Sequence, residues 1–516
     1  MAYVVPADLE DLRALVEWAY CEGTPLVPRG AGTGMPGGNV GPHLIVEVEA
    51  GLGTLEWVDR ESGLLRLGAG VVAAEAERFA RDAGFFLPFL PSSKRWCQIG
   101  GMVANNAAGA RTFRHGATAA SVECLEGIFS WGEPFRVGTG LPVPDAFLRL
   151  PSRLEAGLGV RVGERDLARA PETRRRWTSG LRPSLPGWPR VRKNASGYAL
   201  DRYLPTRNPA QLLVGSEGTL AVLTHAELRL VPMAPTRGLG VLAAHSSAEL
   251  TALALGGEDI GAETCEFLGR RFLEIAGIGG DPQVGSLASG AHGLVLMEVA
   301  GERDEVESGL AAILELGQRT GAESLLATDP ETMERLWELR HAASPRIAHE
   351  AGGGRVSLQF IEDSVVPPEQ LGAYLDGLDQ ILEEAGFDAI TFGHAGDGNV
   401  HVNPLVDVSD PAWKDRVRSV LNSVAGLVAS LGGTLSGEHG DGRLRAPLLD
   451  RIWAPPLVAA FRLVKEALDP RGILNPGVIL PLPGQDPLEG LEPKTPRGLH
   501  GRPEDDHLVT FESPTS

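Results

Sequence analysis

The sequence is poor in cysteine. Its 516 residues include only Cys21, Cys97, Cys124 and Cys265, and no two of them share the Cys-x-x-Cys spacing. Without such a group of thiolates, the chain offers no ligand set for an iron–sulfur cluster of its own. Four scattered thiols are typical of a protein that is kept reduced in the cytosol.

Positive charge and long apolar runs are also scarce. The 47 Lys and Arg residues are outnumbered by 67 Asp and Glu residues, which gives a formal net charge of -20. That balance argues against a nucleic-acid-binding protein and against simple electrostatic docking on anionic lipid. No apolar run reaches the 18 residues of a membrane span, and the N-terminus has no signal-peptide pattern. We therefore expect a cytoplasmic protein that reaches the inner membrane face only through a partner.

The chain is long enough for two or three domains, and its hydrophobic content of 43% can fill sizeable cores. Up to residue 233, short strands, helices and glycine-rich turns alternate, beginning with a predicted helix over 7–22 and a strand over 25–28. A strand over 221–231 ends this block. We predict a first domain over 1–233, with an irregular insertion at 131–189, where Arg, Pro and Gly dominate.

A different rhythm begins after a short proline-containing linker at 232–235. Predicted strands alternate with predicted helices, the strands at 239–244, 294–299 and 324–327 and the helices at 305–320, 368–385 and 412–431. This alternation predicts a second, α+β domain over 234–482, in which helices cover a sheet. Residues 483–516 carry Pro, Gly and charge with few apolar side chains, so we predict a disordered tail.

The most informative segment is the glycine-rich turn that carries His394 and His401. About forty residues later, Glu438 and His439 stand between two glycines. Imidazole and carboxylate are ligand types that suit a divalent cation such as zinc, with one coordination position left open for substrate. A neighbouring histidine that is not a ligand is free to move protons. We therefore predict a metal site with an adjacent proton acceptor.

A second glycine-rich segment follows the strand at 25–28. Gly32, Gly34 and Gly37 match the spacing G-x-G-x-x-G, but Pro36 and the glycines after it do not open the helix that a Rossmann motif requires. The alternative is a bare loop whose backbone N–H groups hold a pyrophosphate. Small-residue runs at 91–93, 99–109 and 213–220 could line a narrow polar groove, although each alone is a weak signal.

Taken together, these motifs resemble the FAD-binding flavoproteins of the vanillyl-alcohol oxidase superfamily, also called the PCMH type. Within it the chain resembles the branch of D-lactate dehydrogenase, the glycolate oxidase flavoprotein subunit and D-2-hydroxyglutarate dehydrogenase. The markers are PRGAGTG at 28–34, IGGMVANNAAG at 99–109, RKNASGY at 192–198, VGSEGTL at 214–220, GHAGDGNVH at 393–401, SGEHG at 436–440 and LNPG at 474–477. The resemblance runs from about residue 4 to residue 480.

The resemblance implies an α+β protein with a two-subdomain FAD-binding domain and a C-terminal ferredoxin-like cap. It assigns a set of residues to the cofactor, namely Pro28, Arg29, Gly30, Ala31, Gly32, Thr33, Gly34, Pro91, Ser92, Gly100, Gly101, Ala104, Asn105, Gly109, Gly116, Glu217, Gly218 and Asn475. It assigns the metal to His394, His401 and Glu438. It makes His439 the catalytic base, with Asn403 and Arg340 at substrate-contacting positions. For Arg340, an ordinary helix-surface pairing with Glu338 or Glu350 is an equal alternative.

The chain departs at three positions from the family that it resembles. Thr33 stands where some relatives carry a histidine that binds FAD covalently, so we expect non-covalent FAD. Ile361 precedes Glu362 where some relatives place a lysine, which puts a dicarboxylate substrate in doubt. Asp441 stands where an aliphatic residue is common, and we have no account of it.

The implied function is metal-assisted oxidation of a small D-2-hydroxy acid, such as lactate or glycolate, to the 2-keto acid. The expected metal is Zn²⁺, with Mn²⁺ or Fe²⁺ as alternatives. Electrons would pass to a partner (an iron–sulfur subunit, electron-transfer flavoprotein or cytochrome) or to a quinone, and the chain could form a homodimer. Three alternatives stay open: a non-catalytic flavoprotein subunit, a non-redox flavoenzyme resembling alkyl-glycerone-phosphate synthase, and an oxidase that uses oxygen.

Overall fold

The structure is a computed structural model of the chain. It describes residues 2–48, 52–161, 185–275, 282–341, 355–489 and 491. Within these ranges, helices and four sheets form an N-terminal domain and a C-terminal cap, and the last helix returns to the N-terminal domain.

The N-terminal domain contains ten strands and nine helices among the described residues. The strands are β1 (Ala2–Val4), β2 (Leu26–Arg29), β3 (Leu44–Glu47), β4 (Leu55–Asp59), β5 (Leu64–Gly68), β6 (Phe85–Phe86), β7 (Val122–Phe129), β8 (Pro134–Gly138), β9 (Ala221–Arg229) and β10 (Val231–Pro232). The helices are α1 (Leu9–Glu22), α2 (Ala73–Asp82), α3 (Ile99–Asn105), α4 (Thr112–His115), α5 (Thr118–Ser121), α6 (Asp145–Leu148), α7 (Leu150–Leu158), α8 (Leu200–Thr206) and α9 (Pro209–Leu213).

Two sheets organise this domain into two subdomains. One is a parallel sheet of three strands in the order β1-β3-β2, against which α1 packs with its buried face of Leu12, Val16 and Ala19. The other is an antiparallel sheet of five strands in the order β4-β5-β9-β7-β8. Local signals set the limits of α1, because the Asp8 side chain accepts the N–H groups of Glu10 and Asp11 and Gly23 adopts a φ of 70° at the other end.

The cap is built on an eight-stranded antiparallel sheet. Its strands are β11 (Thr236–Ala244), β12 (Thr264–Gly269), β13 (Gly293–Gly301), β14 (Ser324–Ala327), β15 (Arg355–Ser357), β16 (Ser364–Val365), β17 (Asp388–His394) and β18 (Asn399–Asp407). The order is β14-β11-β13-β12-β17-β18-β15, and β16 also pairs with β18. The predicted α+β class is confirmed.

Helices cover both faces of the cap sheet. They are α10 (Ser247–Ile260), α11 (Arg270–Ile275), α12 (Pro282–Ala288), α13 (Arg303–Thr320), α14 (Pro330–His341), α15 (Leu371–Ala385) and α16 (Trp413–Ser430), with short 3-10 helices at Pro368–Gln370 and Ala395–Asp397. The larger core lies between one face and α10, α13, α15 and α16. The opposite face packs a smaller core against α11, α12 and α14.

The chain then returns to the N-terminal domain. The short helices α17 (Gly442–Arg445) and α18 (Leu449–Ile452), with a 3-10 helix at Ala446–Leu448 between them, precede the long α19 (Pro455–Leu468). Helix α19 buries its apolar face in the core of the N-terminal domain. The predicted second domain, 234–482, includes α19, and this helix packs against the core of the N-terminal domain.

Two expectations about irregular segments are corrected. The region 131–161 is not an irregular insertion, because β8 pairs with β7 and the helices α6 and α7 bury Phe147, Leu150 and Leu154. Residues 162–184 lie outside the described residues. The predicted linker at 232–235 carries the end of β10, which pairs with β6.

The tail is also ordered at its start. Arg418 binds Asp486 through two N–H···O contacts of 2.8 Å, and Leu488 and Leu491 are buried against the cap. The remainder of the predicted disordered tail, 492–516, lies outside the described residues. Among the residues that are described, no helix is both long and apolar enough to cross a membrane.

The return of the last helix predicts a large stability effect at Trp453. This side chain is 1% exposed, lies against the rings of Trp188 and Phe461, and donates its indole N–H to the Ser196 hydroxyl at 3.0 Å. Trp453→Ala would leave a cavity and should cost about 3–5 kcal/mol of unfolding free energy. Chemical denaturation measures this change.

Trp18→Ala is the matched control, because Trp18 is 48% exposed on α1. This substitution should change the unfolding free energy by no more than about 0.5 kcal/mol. Equal effects of the two substitutions would contradict the packing described here.

Candidate active site

A tight hairpin brings His394 and His401 to the same face of the cap sheet. Strands β17 and β18 pair in a register that places Phe392 opposite His401 and His394 opposite Asn399. Because side chains alternate between faces, Val400 and Val402 enter the larger core while His401 points to the other side. The turn needs Gly398, which has a φ of 68° and whose added Cβ would lie 2.1 Å from the Val366 oxygen. The two imidazole centres are 5.2 Å apart.

A buried carboxylate presents Glu438 and His439 to this hairpin. One oxygen of Asp363 accepts the backbone N–H groups of Gly437, Glu438 and His439 at 2.9, 3.0 and 2.8 Å. The same oxygen accepts the hydroxyl of Ser436 at 2.9 Å. Four donors on one oxygen set the path of residues 436–439, so the directions of the Glu438 and His439 side chains follow from Asp363.

Three potential metal ligands converge at this point. Glu438 Oε2 lies 3.5 Å from His394 Nε2, and Glu438 Oε1 lies 3.4 Å from His401 Nε2. One donor atom from each of the three residues lies within 4.8 Å of the others, and all three residues are buried. Two imidazoles and a carboxylate form a donor set that suits zinc or a similar divalent cation. The predicted ligands are therefore brought together.

The outer nitrogens of both imidazoles are held by the protein. His394 Nδ1 lies 2.5 Å from Glu266 Oε1, and His401 Nδ1 donates to the backbone oxygen of Glu362 at 2.9 Å. Such contacts orient each Nε2 towards the centre of the cluster, which is how metal-binding histidines are usually held. The three donor atoms therefore fit a cation, and so do the contacts that hold the outer nitrogens of the two imidazoles.

Strong local fields act on the ionisable groups of the cluster. Burial would raise the pKa of Glu438, but the Lys193 ammonium and His394 hold that pKa well below its usual value. Burial lowers the pKa of His401, while the Glu266 carboxylate outweighs burial and raises the pKa of His394. Burial would likewise raise the pKa of Glu266, yet His394 and Arg340 lower it to about 2. The Glu438 side chain is therefore kept in the anionic form that a cation binds.

His439 lies beside the three candidate ligands and belongs to a second group of possible donors with Glu362, Asp363 and His401. Its Nε2 is 3.5 Å from Glu438 Oε1, its ring stacks on that of His401 at 5.5 Å, and its side chain is 24% exposed. Its Nδ1 is 3.0 Å from the Glu362 carboxylate. Burial alone would lower the pKa of His439, but Asp363 and Glu362 raise it to about 9. At neutral pH the imidazole is therefore mostly protonated, and its neutral, proton-accepting form increases as the pH rises towards about 9.

Arg340 and Asn403 also lie on this face. Asn403 is buried two residues after His401 on β18, and its Oδ1 accepts from Gln359 at 3.4 Å. Arg340, at the end of α14, places its Nε 3.0 Å from Glu266 Oε2 and its guanidinium 4.6 Å from the centre of the Phe392 ring. Glu266 is not one of the two partners, Glu338 and Glu350, that the sequence suggested for Arg340.

The predicted cofactor residues of the N-terminal domain are gathered beside the cluster. Residues 30–43 form a loop without a helix, as predicted, with Gly32 at a φ of 74°. Asn39 donates to the Gly34 oxygen at 3.1 Å, and an added Cβ on Gly34 would lie 3.7 Å from Asn105 Nδ2. An added Cβ on Gly218 would lie 3.3 Å from Pro28. The loop at 28–34 and the later runs therefore meet.

The other small residues of this group fall into two kinds. Gly100 and Gly109 pack closely, because an added Cβ would lie 2.7 Å from Ala69 and 2.0 Å from the Leu90 oxygen next to Pro91. An added Cβ on Gly101 would meet no atom within 4 Å. The buried amide oxygen of Gln98 has no hydrogen-bond partner among the described residues. An open glycine and an unsatisfied buried acceptor beside a glycine loop fit a bound cofactor.

Two residues of this cofactor region, Asn105 and Glu217, contact the segment that carries His439. Asn105 donates its side-chain amide to the backbone oxygen of His439 at 2.9 Å. The Glu217 carboxylate accepts the N–H groups of Asp441 and Gly442 at 2.7 and 2.9 Å. The side-chain amide of Asn475 donates to the backbone oxygen of Glu217 at 2.8 Å. Burial raises the pKa of both Glu217 and Asp441. The backbone of His439 is thus anchored directly to a residue of the predicted cofactor groove.

Sequence reasoning missed the residues that support the cluster. Glu362 contacts both His439 and the fully buried Arg445, while Glu266 holds His394 and Lys193 contacts Glu438. Lys193 lies within the recognised motif at 192–198, so its position was marked although its role was not. Glu266 carried no signal beyond a charged residue in an apolar strand.

The field around His439 generates a prediction about its titration. Because the folded pKa of about 9 exceeds the ordinary value of 6.5, the imidazolium stabilises the fold fully below about pH 6.5 and loses that contribution as the pH rises through about 9. Glu362→Gln removes one of the carboxylates that raise this pKa, so the titration midpoint should move to lower pH. Histidine NMR of protein stripped of divalent cations measures the midpoint.

Glu369→Gln serves as the control, since Glu369 is exposed on the 3-10 helix at Pro368–Gln370. It should leave the His439 midpoint unchanged. An unshifted midpoint in Glu362→Gln would show that Glu362 does not set the charge state of His439.

Comparison with known protein families identifies both domains. Residues 1–138 match a family model described as an FAD binding domain. Residues 241–479 match the model described as FAD linked oxidases, C-terminal domain. Along the chain, the first match lies in the N-terminal domain, and the second begins in the cap.

Several characterised proteins are similar over almost the whole chain. A D-lactate dehydrogenase from Archaeoglobus fulgidus is 29% identical over 92% of this chain and 90% of its own length. A glycolate oxidase subunit from Bacillus subtilis is 26% identical over 92% of this chain and 88% of its own length. A D-2-hydroxyglutarate dehydrogenase from Pantoea ananatis is 27% identical over 92% of this chain, which spans only 47% of that protein.

Solved structures share the fold at lower sequence identity. An alkyldihydroxyacetonephosphate synthase superimposes with a TM-score of 0.63 at 14% identity, covering 92% of this chain and 76% of that chain. A p-cresol methylhydroxylase superimposes with a TM-score of 0.64 at 12% identity, covering 94% of this chain and 89% of that chain. The architecture, the two matched domains and the sequence similarity agree, and this chain belongs to the proteins that join an FAD binding domain to the C-terminal domain of the FAD linked oxidases.

Proposed function

We propose that this protein is an FAD-dependent dehydrogenase that oxidises a small D-2-hydroxy acid to the 2-keto acid with the help of a divalent cation. The observation that carries the proposal is the meeting of His394, His401 and Glu438 beside His439, on a segment anchored to Asn105 of the FAD-binding domain. The names of the similar proteins, D-lactate dehydrogenase and glycolate oxidase subunit, support the substrate class.

In this proposal, FAD is held by the N-terminal domain. The loop Arg29–Gly34 would hold the pyrophosphate through backbone N–H groups, and the open side of Gly101 with the unsatisfied Gln98 oxygen would face the flavin. Ala31, Gly116 and Ser92 complete the proposed contacts. Thr33 offers no imidazole for a covalent link, so FAD would be held non-covalently.

A bound flavin would supply the acceptor for the hydride of the substrate α-carbon, and a divalent cation held by His394, His401 and Glu438 would supply the positive charge that polarises the substrate hydroxyl. The chain supplies the acceptor for the other product of the oxidation, the hydroxyl proton. His439 Nε2 would take this proton when the ring is in its neutral form, because Nδ1 is already engaged with Glu362. A divalent cation bound beside His439 would lower the pKa of this imidazole and so favour the neutral form. The O–H bond breaks as the N–H bond forms, and the partly exposed ring then releases the proton to solvent.

Glu362 and Asp363 make this proton transfer favourable. Both carboxylates stabilise the imidazolium, which is the form of His439 that appears when the substrate loses its proton. Arg445, with 2% of its surface exposed, holds Glu362 from the opposite side. The carboxylate is thereby kept aimed at His439 Nδ1.

Arg340 and Asn403 are proposed to orient the substrate. A guanidinium fork matches a carboxylate in two N–H···O contacts, and only Glu266 separates Arg340 from the ligand His394. Asn403 projects from the same strand face as His401 and can offer an amide to the substrate. With no lysine at Ile361, we propose a monocarboxylate such as lactate or glycolate.

The reduced flavin must pass its electrons to a partner. Among the described residues, Cys97, Cys124 and Cys265 are buried apart and Cys21 is exposed, so no two are joined as cluster ligands. We propose an external acceptor of the non-nicotinamide type, either a redox protein or a quinone.

The proposal predicts that D-2-hydroxy acids bleach the flavin absorbance under anaerobic conditions. Titration with D- and L-lactate, glycolate and D-2-hydroxyglutarate should show bleaching with at least one monocarboxylate and little with L-lactate. His439→Ala should retain FAD but reduce flavin about 10²–10⁴-fold more slowly, because it lacks the proton acceptor. Stopped-flow absorbance measures both effects.

An absence of bleaching with every 2-hydroxy acid would reject the dehydrogenase and leave the non-catalytic or non-redox alternatives. Full-rate bleaching in His439→Ala would assign the base to another residue. Peroxide release in air would identify an oxidase.

Metal removal gives a separate prediction. Chelator treatment should slow the bleaching, and added Zn²⁺ or Mn²⁺ should restore it. His401→Ala and Glu438→Gln should weaken zinc binding about 100-fold or more, because each removes a ligand. His245→Ala, at an exposed position outside the cluster, should bind zinc like the unchanged protein. Bleaching that proceeds at full rate after metal removal would show that the cation is not needed.

A further inference from the structure

Lys193 places a buried ammonium inside the donor cluster. It lies in the segment 190–198, which runs beside residues 432–441, and the N–H of Ala195 donates to the Ser436 oxygen at 2.9 Å. Val191, Lys193 and Ala195 are all buried, and the Lys193 side chain is 1% exposed. A lysine is almost never buried to this degree unless its charge has partners.

The ammonium has two fixed partners. It contacts Glu438 Oε2 and donates to Asn399 Oδ1 at 3.0 Å. Asn399 is itself held, because its side-chain amide donates to Asp363 Oδ1 at 3.1 Å and to the Ser364 oxygen at 3.2 Å. The position of Nζ is therefore set by the same carboxylate, Asp363, that sets the position of Glu438.

The two carboxylate oxygens of Glu438 therefore face different partners. Its Oε2 faces Lys193 and lies 3.5 Å from His394 Nε2, while its Oε1 faces His401 and His439. A carboxylate that already neutralises an ammonium donates less charge to a second cation. In addition, a unit positive charge and a divalent ion on the same carboxylate repel each other strongly in a buried site.

We propose that Lys193 is a positioning residue that tunes the metal site: it holds one oxygen of Glu438, leaves the other for the ion, and weakens the binding of that ion. The ion then keeps more of its positive charge for the substrate oxygen. This inference rests on the proposed metal site. It gives a reason for the buried Lys193 ammonium beside a site that would bind a metal ion, in a chain whose net charge is -20.

Zinc affinity tests the inference directly. Chelator competition with Zn²⁺ should give at least tenfold tighter binding in Lys193→Met, which keeps the length of the side chain and removes its charge. A tenfold change is about 1.4 kcal/mol. Lys193→Gln, which keeps a hydrogen-bond donor, should also bind zinc more tightly. Lys193→Arg retains the charge and should bind zinc no more tightly than the unchanged protein.

The neutral variants should reduce their flavin more slowly with substrate in spite of tighter zinc binding, since the ion has lost part of its polarising power. FAD content and circular dichroism confirm that each variant is folded, and the Gln variant serves if the Met variant does not fold. A residue that is merely structural would weaken zinc binding when replaced, never tighten it.

The outcomes separate the two proposals. An unchanged protein that binds no Zn²⁺ would overturn the metal site itself. If the unchanged protein binds Zn²⁺ but the folded neutral variants bind it equally or more weakly, the metal site stands and the role of Lys193 is rejected.

Discussion

The candidate site depends on the buried carboxylate of Asp363. This side chain is fully enclosed, and one of its oxygens accepts three consecutive backbone N–H groups and the Ser436 hydroxyl. Its second oxygen holds Asn399, which in turn fixes Lys193. Without these contacts, neither Glu438 nor His439 would be directed at the histidine hairpin. A single anion therefore positions Glu438 as a candidate ligand, His439 as a candidate base, and Lys193.

Charge balance explains why so many ionisable groups can be buried together. Four carboxylates surround the site, those of Glu266, Glu362, Asp363 and Glu438. The cations that face them are Lys193, Arg340 and Arg445, together with the imidazoles. Each ion has a partner at hydrogen-bonding distance, as buried charges require. The proposed divalent cation and monocarboxylate substrate would together add one positive charge, which the surrounding carboxylates could offset.

Local patterns revealed much of this architecture, and long-range pairing hid the rest. The limits of α1 and the histidine hairpin follow from Asp8, Gly23 and Gly398, whose effects act within a few residues. The strand β8 was missed because a short edge strand takes its structure from its neighbour. Lys193 reaches Glu438 across 245 positions of sequence, a contact that only tertiary packing creates.

The central claim is that a cation lies among His394, His401 and Glu438, beside the reactive face of a bound flavin. Anomalous X-ray diffraction at the zinc edge, from crystals of the FAD-loaded protein grown with Zn²⁺, tests it most directly. The account predicts one strong peak about 2.0–2.2 Å from the two imidazole nitrogens and the glutamate oxygen, on the side that faces the isoalloxazine ring. A flavin-loaded crystal with no peak among these side chains, or with the three ligands turned away from the ring, would contradict it.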